Sequence, residues 1–552
     1  MQKIPPRGPG PGPCSFRSWR VRGSLQGGAL VARGALLGLV GLTAHCSPSS
    51  SSTPTGAGGS AAAGASGGDA GSNASSAGSS GSGNGSAGTS GSGGATSAGG
   101  SAGAGDAGGA SPADAGALAG AAGADAGALG ALNVRFDWTG VVGTGQSLSV
   151  GEPGGARNMP GGLARLTGPS FNNLQLSTGS LAWPVDSNAA TLNMVPLREP
   201  IGRQASNYPS SWPTNISASE TPHTPMANQL TSLVNAATGA DFVSVHGDVG
   251  ENGQCLSFLV KGATIVGVNG HAYEATLIET RAITRLAQAA GKTYGVEAII
   301  VTHGECDAGN ALYANQLYAL WTDYSIDLPA ITGQAEPPLM IVTQQNTSGE
   351  RSASTLAAWR IGVDHPDDVV CAGPKYQYPY TSDNVHLLVD GYELLGEKYA
   401  QVFYERRLLG HDWQPLQPTS AARDGRVVSV NFHVPVPPLV WEESFQLPHQ
   451  TTLTQWSAGQ GFELRDGAGT PLAISSVAID GDAVHITSAA DLPATVTVGY
   501  AMSGDAAEKM ATPFAGAVHW GRLRDSDPFV GATTQQVQRN FAVAFELPVP
   551  NG

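Results

Sequence analysis

From Asn133 to Arg407 the chain alternates between two hydrophobic periods, and that alternation narrows the fold more than any other feature. Strand-like runs occur at Asn133–Val142, Asp241–Val245, Val296–Thr302, Pro338–Thr343 and Asp368–Ala372. Helical spacing occurs at Met226–Ala237, where Leu230, Leu233 and Val234 share a face, and at Ala272–Ala290 and Ala308–Tyr324. It returns over His386–Arg407, where Leu388, Tyr392, Leu395, Tyr399, Val402 and Phe403 line one side. Alternating strands and helices imply a parallel sheet covered on both faces. Such sheets place their ligands beyond the carboxyl ends of the strands.

Near residue 420 the period changes to two. Val427, Val428, Val430, Phe432 and Val434 form one strand. Asp480-Gly481 is a hairpin-type pair ahead of Ala483–Ile486, Thr495–Tyr500 alternates, and Asn540–Leu547 reads as a last strand. This predicts a small β-sandwich over 411–552, serving as a carbohydrate-binding module, a packing partner or an oligomerisation face. Trp520 is either a core side chain or a platform for a sugar.

The first quarter of the chain cannot join either part. Residues 47–131 are almost entirely Gly, Ala and Ser with scattered Asp, and have no aromatic side chain. Too little apolar surface exists there to offset the entropy of ordering, so the stretch reads as a tether. A coil of about 85 residues spans roughly 50 Å. Ahead of it, Arg17, Arg20, Arg22 and Arg33 precede the apolar run Gly34–Ala44, which is too short to cross a bilayer. A basic region followed by a short apolar core is a secretory leader. Cys46 follows at once, as in bacterial lipoproteins, where such a cysteine is acylated and anchors the chain to a membrane. His45 departs from the small residue found there, and simple secretion stays open beside anchoring.

A net charge of −15, without a basic stripe, argues against nucleic acid as a partner. Of five cysteines, Cys14 and Cys46 lie in the leader. Cys255, Cys306 and Cys371 allow one disulfide and one thiol, or three buried thiols. No Cys-x-x-Cys spacing is present, so no structural zinc is expected.

The chemistry lies at three distant points. Ser147 follows the first strand in Gly143-Thr144-Gly145-Gln146-Ser147-Leu148-Ser149. Asp383 and His386 lie in Asp383-Asn384-Val385-His386, ahead of the last helix. A serine hydroxyl is a weak nucleophile until an imidazole takes its proton, and the imidazole needs an anion to fix its tautomer. Asp-x-x-His lets one loop present both. Ser147 also fits a turn, and Ser149 is the fallback nucleophile. Asp383 also suits the N-cap of the helix expected from His386.

Four blocks in this order resemble the SGNH (GDSL-like) hydrolases, nearest to their carbohydrate O-acetylesterase and sialate-esterase branch. They are Gly145-Gln146-Ser147, the glycine-rich His246–Gln254, His303-Gly304-Glu305-Cys306-Asp307, and Asp383–His386. The resemblance covers roughly residues 132–408 and implies a three-layer α/β/α, flavodoxin-like catalytic domain at 132–410. It implies a serine esterase acting on O-acylated carbohydrate or another ester, with no metal or organic cofactor. A lipase or a non-catalytic carbohydrate-binding protein on the same scaffold are the alternatives; the small, polar Gly151–Gly162 loop argues against an acyl groove. Backbone N–H groups of Ser147 and of Gly253, or else Gly250, would stabilise the oxyanion. The place of a third donor falls on Cys306, a poor donor as a thiol, leaving Glu305 and Asp307 to order the loop. Cys306 as nucleophile would have only His303 as a nearby base.

Overall fold

In the computed structural model the described residues are 132–151, 164–177, 192–201, 220–263, 270–347, 350–511 and 516–550. The leader with Cys46, the tether and most of the Gly151–Gly162 loop lie outside them.

Seven strands form one sheet: β1 (Trp138–Gly145), β2 (Leu174–Leu176), β3 (Met194–Pro196), β4 (Ser244–Asp248), β5 (Tyr294–Thr302), β6 (Leu339–Gln344) and β7 (Val369–Pro374). Their order is β3-β2-β4-β1-β5-β6-β7. All pairs are parallel except β2 with β3 at the edge. Strands β5, β6 and β7 are buried along their whole length, as sheets covered on both faces require.

Helix α1 (His223–Thr238) packs against α5 (Val389–Phe403), while α2 (Ala272–Ala289), α3 (Tyr313–Thr332) and α4 (Ala353–Asp364) pack in series. Gly396 permits the α1–α5 approach, because a Cβ there would lie 2.2 Å from the Pro222 carbonyl oxygen.

Several boundaries differ from the sequence reading. The expected helix at Ala308 begins at Tyr313, because Asn310 Nδ2 donates to Asp307 Oδ1 at 2.8 Å and Asn310 Oδ1 accepts the Leu312 N–H at 3.0 Å. Such local side-chain bonds compete with helix formation. The helix expected from His386 begins at Val389 and passes at Tyr404–Leu409 into a π-helical turn.

Beyond Gly410 lie two four-stranded antiparallel sheets. One contains Pro471–Leu472, Phe462–Asp466, Val496–Tyr500 and Phe545–Val549. The other contains Ile474–Asp480, Ala483–Ser488, Val427–His433 and Gln417–Asp424. Phe432 of the second sheet meets Phe462 and Phe545 of the first edge-on, at 6.4 and 5.9 Å between centroids. The last strand starts at Phe545 and not at Asn540, because Asn540 is committed to Asp525 and Asp527.

This β-region is packed onto the parallel sheet's helices. Gln344 at the end of β6 donates to the Ala544 carbonyl and accepts the Ala544 N–H, both at 2.8 Å. The outer side of α5 is buried too. Glu397 accepts the Thr533 and Thr534 N–H groups at 2.7 and 2.8 Å, and Lys398 donates to Asn540 Oδ1 at 2.5 Å.

Candidate active site

The site forms where β1, β4 and β5 end. Gly145 closes β1 with φ +143°, and a Cβ there would lie 2.2 Å from the Thr302 carbonyl oxygen, so only glycine fits. The next N–H, of Gln146, donates to that same oxygen at 3.3 Å. The Gln146 carbonyl accepts the Ser149 N–H at 2.9 Å, and the tight turn between them presents Ser147. Ser147 is therefore a turn residue, one of its two readings from the sequence.

Ser147 Oγ donates to His386 Nε2 at 2.7 Å, and His386 Nδ1 donates to Asp383 Oδ2 at 2.7 Å. A separation of 239 positions between the serine and the histidine is closed by the fold. The other carboxylate oxygen of Asp383 accepts from the Thr381 hydroxyl at 2.6 Å and from the Val385 and His386 N–H groups at 2.9 and 3.0 Å. Asp383 thus caps its own turn and does not cap α5, whose N-cap is Leu388. The turn is closed by the Thr381 N–H donating to the His386 carbonyl at 2.8 Å. Asn384 takes the left-handed conformation at φ +63°, which asparagine tolerates. Burial disfavours the Asp383 anion, but the bonds from His386, Thr381 and the two backbone N–H groups outweigh it and hold this carboxyl well below the usual carboxylate range.

The glycine-rich block packs against the serine turn. The Glu251 N–H donates to the Gly145 carbonyl at 2.9 Å. A Cβ on Gly250 would stand 3.0 Å from Ser149 Cβ, and the Gly250 N–H donates to Asp248 Oδ1 at 3.1 Å. Gly250 is therefore a close-packing glycine whose N–H bonds to Asp248. Gly253 is exposed, with φ +68° and open space around it. Ser149 Oγ donates to the same Asp248 Oδ1 at 2.9 Å, so the fallback nucleophile is a buttress of the turn.

Cys255 and Cys306 form a disulfide, joining the glycine-rich block to the third block. Cys306 is therefore neither thiol donor nor nucleophile; its N–H donates to Gln146 Oε1 at 3.2 Å. Asp307 accepts the Leu256 N–H at 2.8 Å, and Glu305 pairs with the buried Lys375 at 2.6 Å, so both order this rim. The remaining cysteine, Cys371, is buried in β7, which pushes its thiol up to about 12. Replacing Cys255 and Cys306 with serine is expected to cost about 2–4 kcal/mol, the usual effect of opening a loop of this size. Denaturant titration of the variant against the oxidised protein measures it.

The other histidines near the strand ends have partners of their own. His303 donates from Nε2 to the Gln254 carbonyl at 3.0 Å and accepts the Tyr313 hydroxyl at Nδ1 at 2.7 Å. His246 shares a 3.1 Å Nδ1–Nδ1 hydrogen bond with His223 and contacts Ser244 Oγ at 2.9 Å. Burial lowers the pKa of all three, favouring neutral rings. One residue of the block had no role in the sequence reading. Glu251 accepts the Gly270, His271 and Ala272 N–H groups at 3.0, 2.8 and 3.0 Å, placing an anion at the N-terminus of α2.

No protein-family model matches the chain, and no curated protein matches it. Solved structures do. A carbohydrate acetylesterase from Xanthomonas citri is 12% identical over 74% of this chain and 80% of its own, with a TM-score of 0.42. A carbohydrate acetylesterase from Sinorhizobium meliloti is 14% identical over 48% of this chain and 97% of its own, with a TM-score of 0.27. An aryl esterase from M. smegmatis is 14% identical over 48% and 97%, with a TM-score of 0.25.

Proposed function

We propose that this chain is a serine esterase of SGNH type, with Ser147 as nucleophile, His386 as general base and then acid, and Asp383 as the anion that orients it. The observation that carries this reading is the pair of 2.7 Å hydrogen bonds running from Ser147 through His386 to Asp383. Ser147 Oγ attacks the ester carbonyl carbon as its proton passes to His386 Nε2. The tetrahedral oxyanion is received by the backbone N–H groups of Ser147 and Gly253. His386 then protonates the departing alcohol, leaving an acyl-serine. Water, deprotonated by the same imidazole, releases the carboxylic acid and restores the serine.

Within that reading the substrate class is O-acetylated carbohydrate. The catalytic part is residues 132–410, a three-layer α/β/α domain. Residues 411–552 form a β-sandwich, and the leader exports the chain, either anchored through Cys46 or secreted. Comparing chromogenic acetyl and long-chain esters side by side, and then acetylated polysaccharide by acetate release, tests both reaction and substrate. Faster turnover of the long-chain ester would replace the acetylesterase reading with a lipase.

The pH profile carries one expectation from the same geometry. Burial disfavours the Asp383 anion, but the bonds from His386, Thr381 and two backbone N–H groups outweigh it and hold the carboxyl well below the usual carboxylate range. A plot of log kcat/KM against pH is therefore expected to show no break from Asp383 where ordinary carboxylates protonate, and a break there that disappears in Asp383→Asn would contradict it.

A further inference from the structure

Trp520 is buried and donates from Nε1 to the Gln446 carbonyl at 2.9 Å, so it offers no sugar platform. The segment just before it reaches the active site in another way. Gly516 has φ +144°, and a Cβ built on it would stand 2.4 Å from Tyr380 Cβ and 3.2 Å from Asn384 Cα. Tyr380 bridges to Leu387 at the base of the turn carrying Asp383 and His386, and Asn384 is at its tip. The same segment is tied down nearby. The Val518 N–H donates to the Asn346 carbonyl at 3.2 Å, and Asn346 Oδ1 accepts the Lys375 and Tyr376 N–H groups at 3.0 and 3.2 Å, at the start of the chain leading to Tyr380. The side chains of His386 and Asp383 remain 17% and 33% exposed, so the turn is covered only in part.

We infer that the C-terminal β-region completes the active site, with Gly516 as a positioning residue that holds the Tyr380–Leu387 turn in register with Ser147. This rests on the esterase reading for its kinetic readout alone. A misplacement of about 1 Å at a reacting group costs on the order of 10²-fold in rate.

The test is Gly516→Ala in the full chain. Its added methyl faces Cβ and Cα atoms, which cannot swing aside as a flexible tip would. Turnover per active site, with sites counted by the burst of chromophore, is expected to fall about 10²-fold with KM little changed. The low-field proton resonance of the His386–Asp383 hydrogen bond is expected to shift or vanish. Gly481→Ala is the control for a methyl added at positive φ without a clash: φ is +59°, in the left-handed well that costs an L-residue about 1–2 kcal/mol, and nothing lies within 4 Å. It should leave both readouts unchanged. Wild-type turnover per site with an unmoved resonance in Gly516→Ala would overturn the inference; a smaller burst alone would signify lost stability and would also count against it. Should Gly516→Ala fail to fold, amide exchange in the wild-type protein decides. The Val385, His386 and Val518 amides are expected to open together, and independent opening overturns the contact's role. A wild-type protein that turned over no ester and took no label at Ser147 would remove the esterase reading, while the resonance and the exchange would still judge Gly516.

Discussion

Ser147→Ala is expected to abolish ester turnover in a protein that still folds, with a loss in kcat on the order of 10⁶ if Ser147 acts as nucleophiles of serine hydrolases do. The hydroxyl bonds to His386, and removing a bond of this kind costs about 1 kcal/mol of stability. The turn survives because backbone groups hold it: the Gln146 N–H on the Thr302 carbonyl, and the Ser149 N–H on the Gln146 carbonyl. Ester hydrolysis and thermal melting of the same preparation measure the two quantities. A folded variant with wild-type turnover would remove Ser147 from the mechanism.

Asp383→Asn is expected to lower kcat by about 10⁴-fold while preserving the turn. An asparagine oxygen can still accept from Thr381, Val385 and His386, as Asp383 Oδ1 does. Its amide group would then face His386 Nδ1 as a donor. The imidazole must answer with its other tautomer, placing a proton on Nε2, where Ser147 needs an acceptor. His386→Ala should be at least as damaging, and the double variant little worse than His386→Ala alone, because the two residues act as one unit. Losses that multiply, or an equal loss in His303→Ala or His246→Ala, would show that the triad has been misassigned.

What the sequence disclosed and what it hid differ in kind. Ser147, Asp383 and His386 each sit in short motifs next to elements with strong periodicity, so their convergence at strand ends could be anticipated. The two edge strands Leu174–Leu176 and Met194–Pro196 are too short to show a period. Helix Ala353–Asp364 was not separated from its surroundings, although Ser352 caps it by accepting the Thr355 N–H. The late start of α5 was hidden for a related reason: Asp383 could serve either the helix or its own turn, and only the folded chain shows which N–H groups reach it. Gly250 was ambiguous because a glycine needed for close packing and one needed for a free N–H look the same in sequence. The Cys255–Cys306 pairing was one of several allowed. Partners of Glu251, 19 to 21 positions away, follow from tertiary structure alone.

The two-sided burial of α5 bears on how the molecule comes apart. Its inner side, through Leu395, Tyr399 and Phe403, belongs to the core of the parallel sheet's part, while Glu397 and Lys398 find their partners among residues 525–540. Losing the β-strands would break the hydrogen bonds that Glu397 makes to Thr533, Thr534 and Gln538 and Lys398 to Asn540, and hydrogen bonds to charged groups contribute about 1.5–3 kcal/mol each. Melting of either half therefore destabilises the other. Calorimetry on residues 132–552 should give one endotherm whose van't Hoff and calorimetric enthalpies agree, where two loosely linked modules would give two.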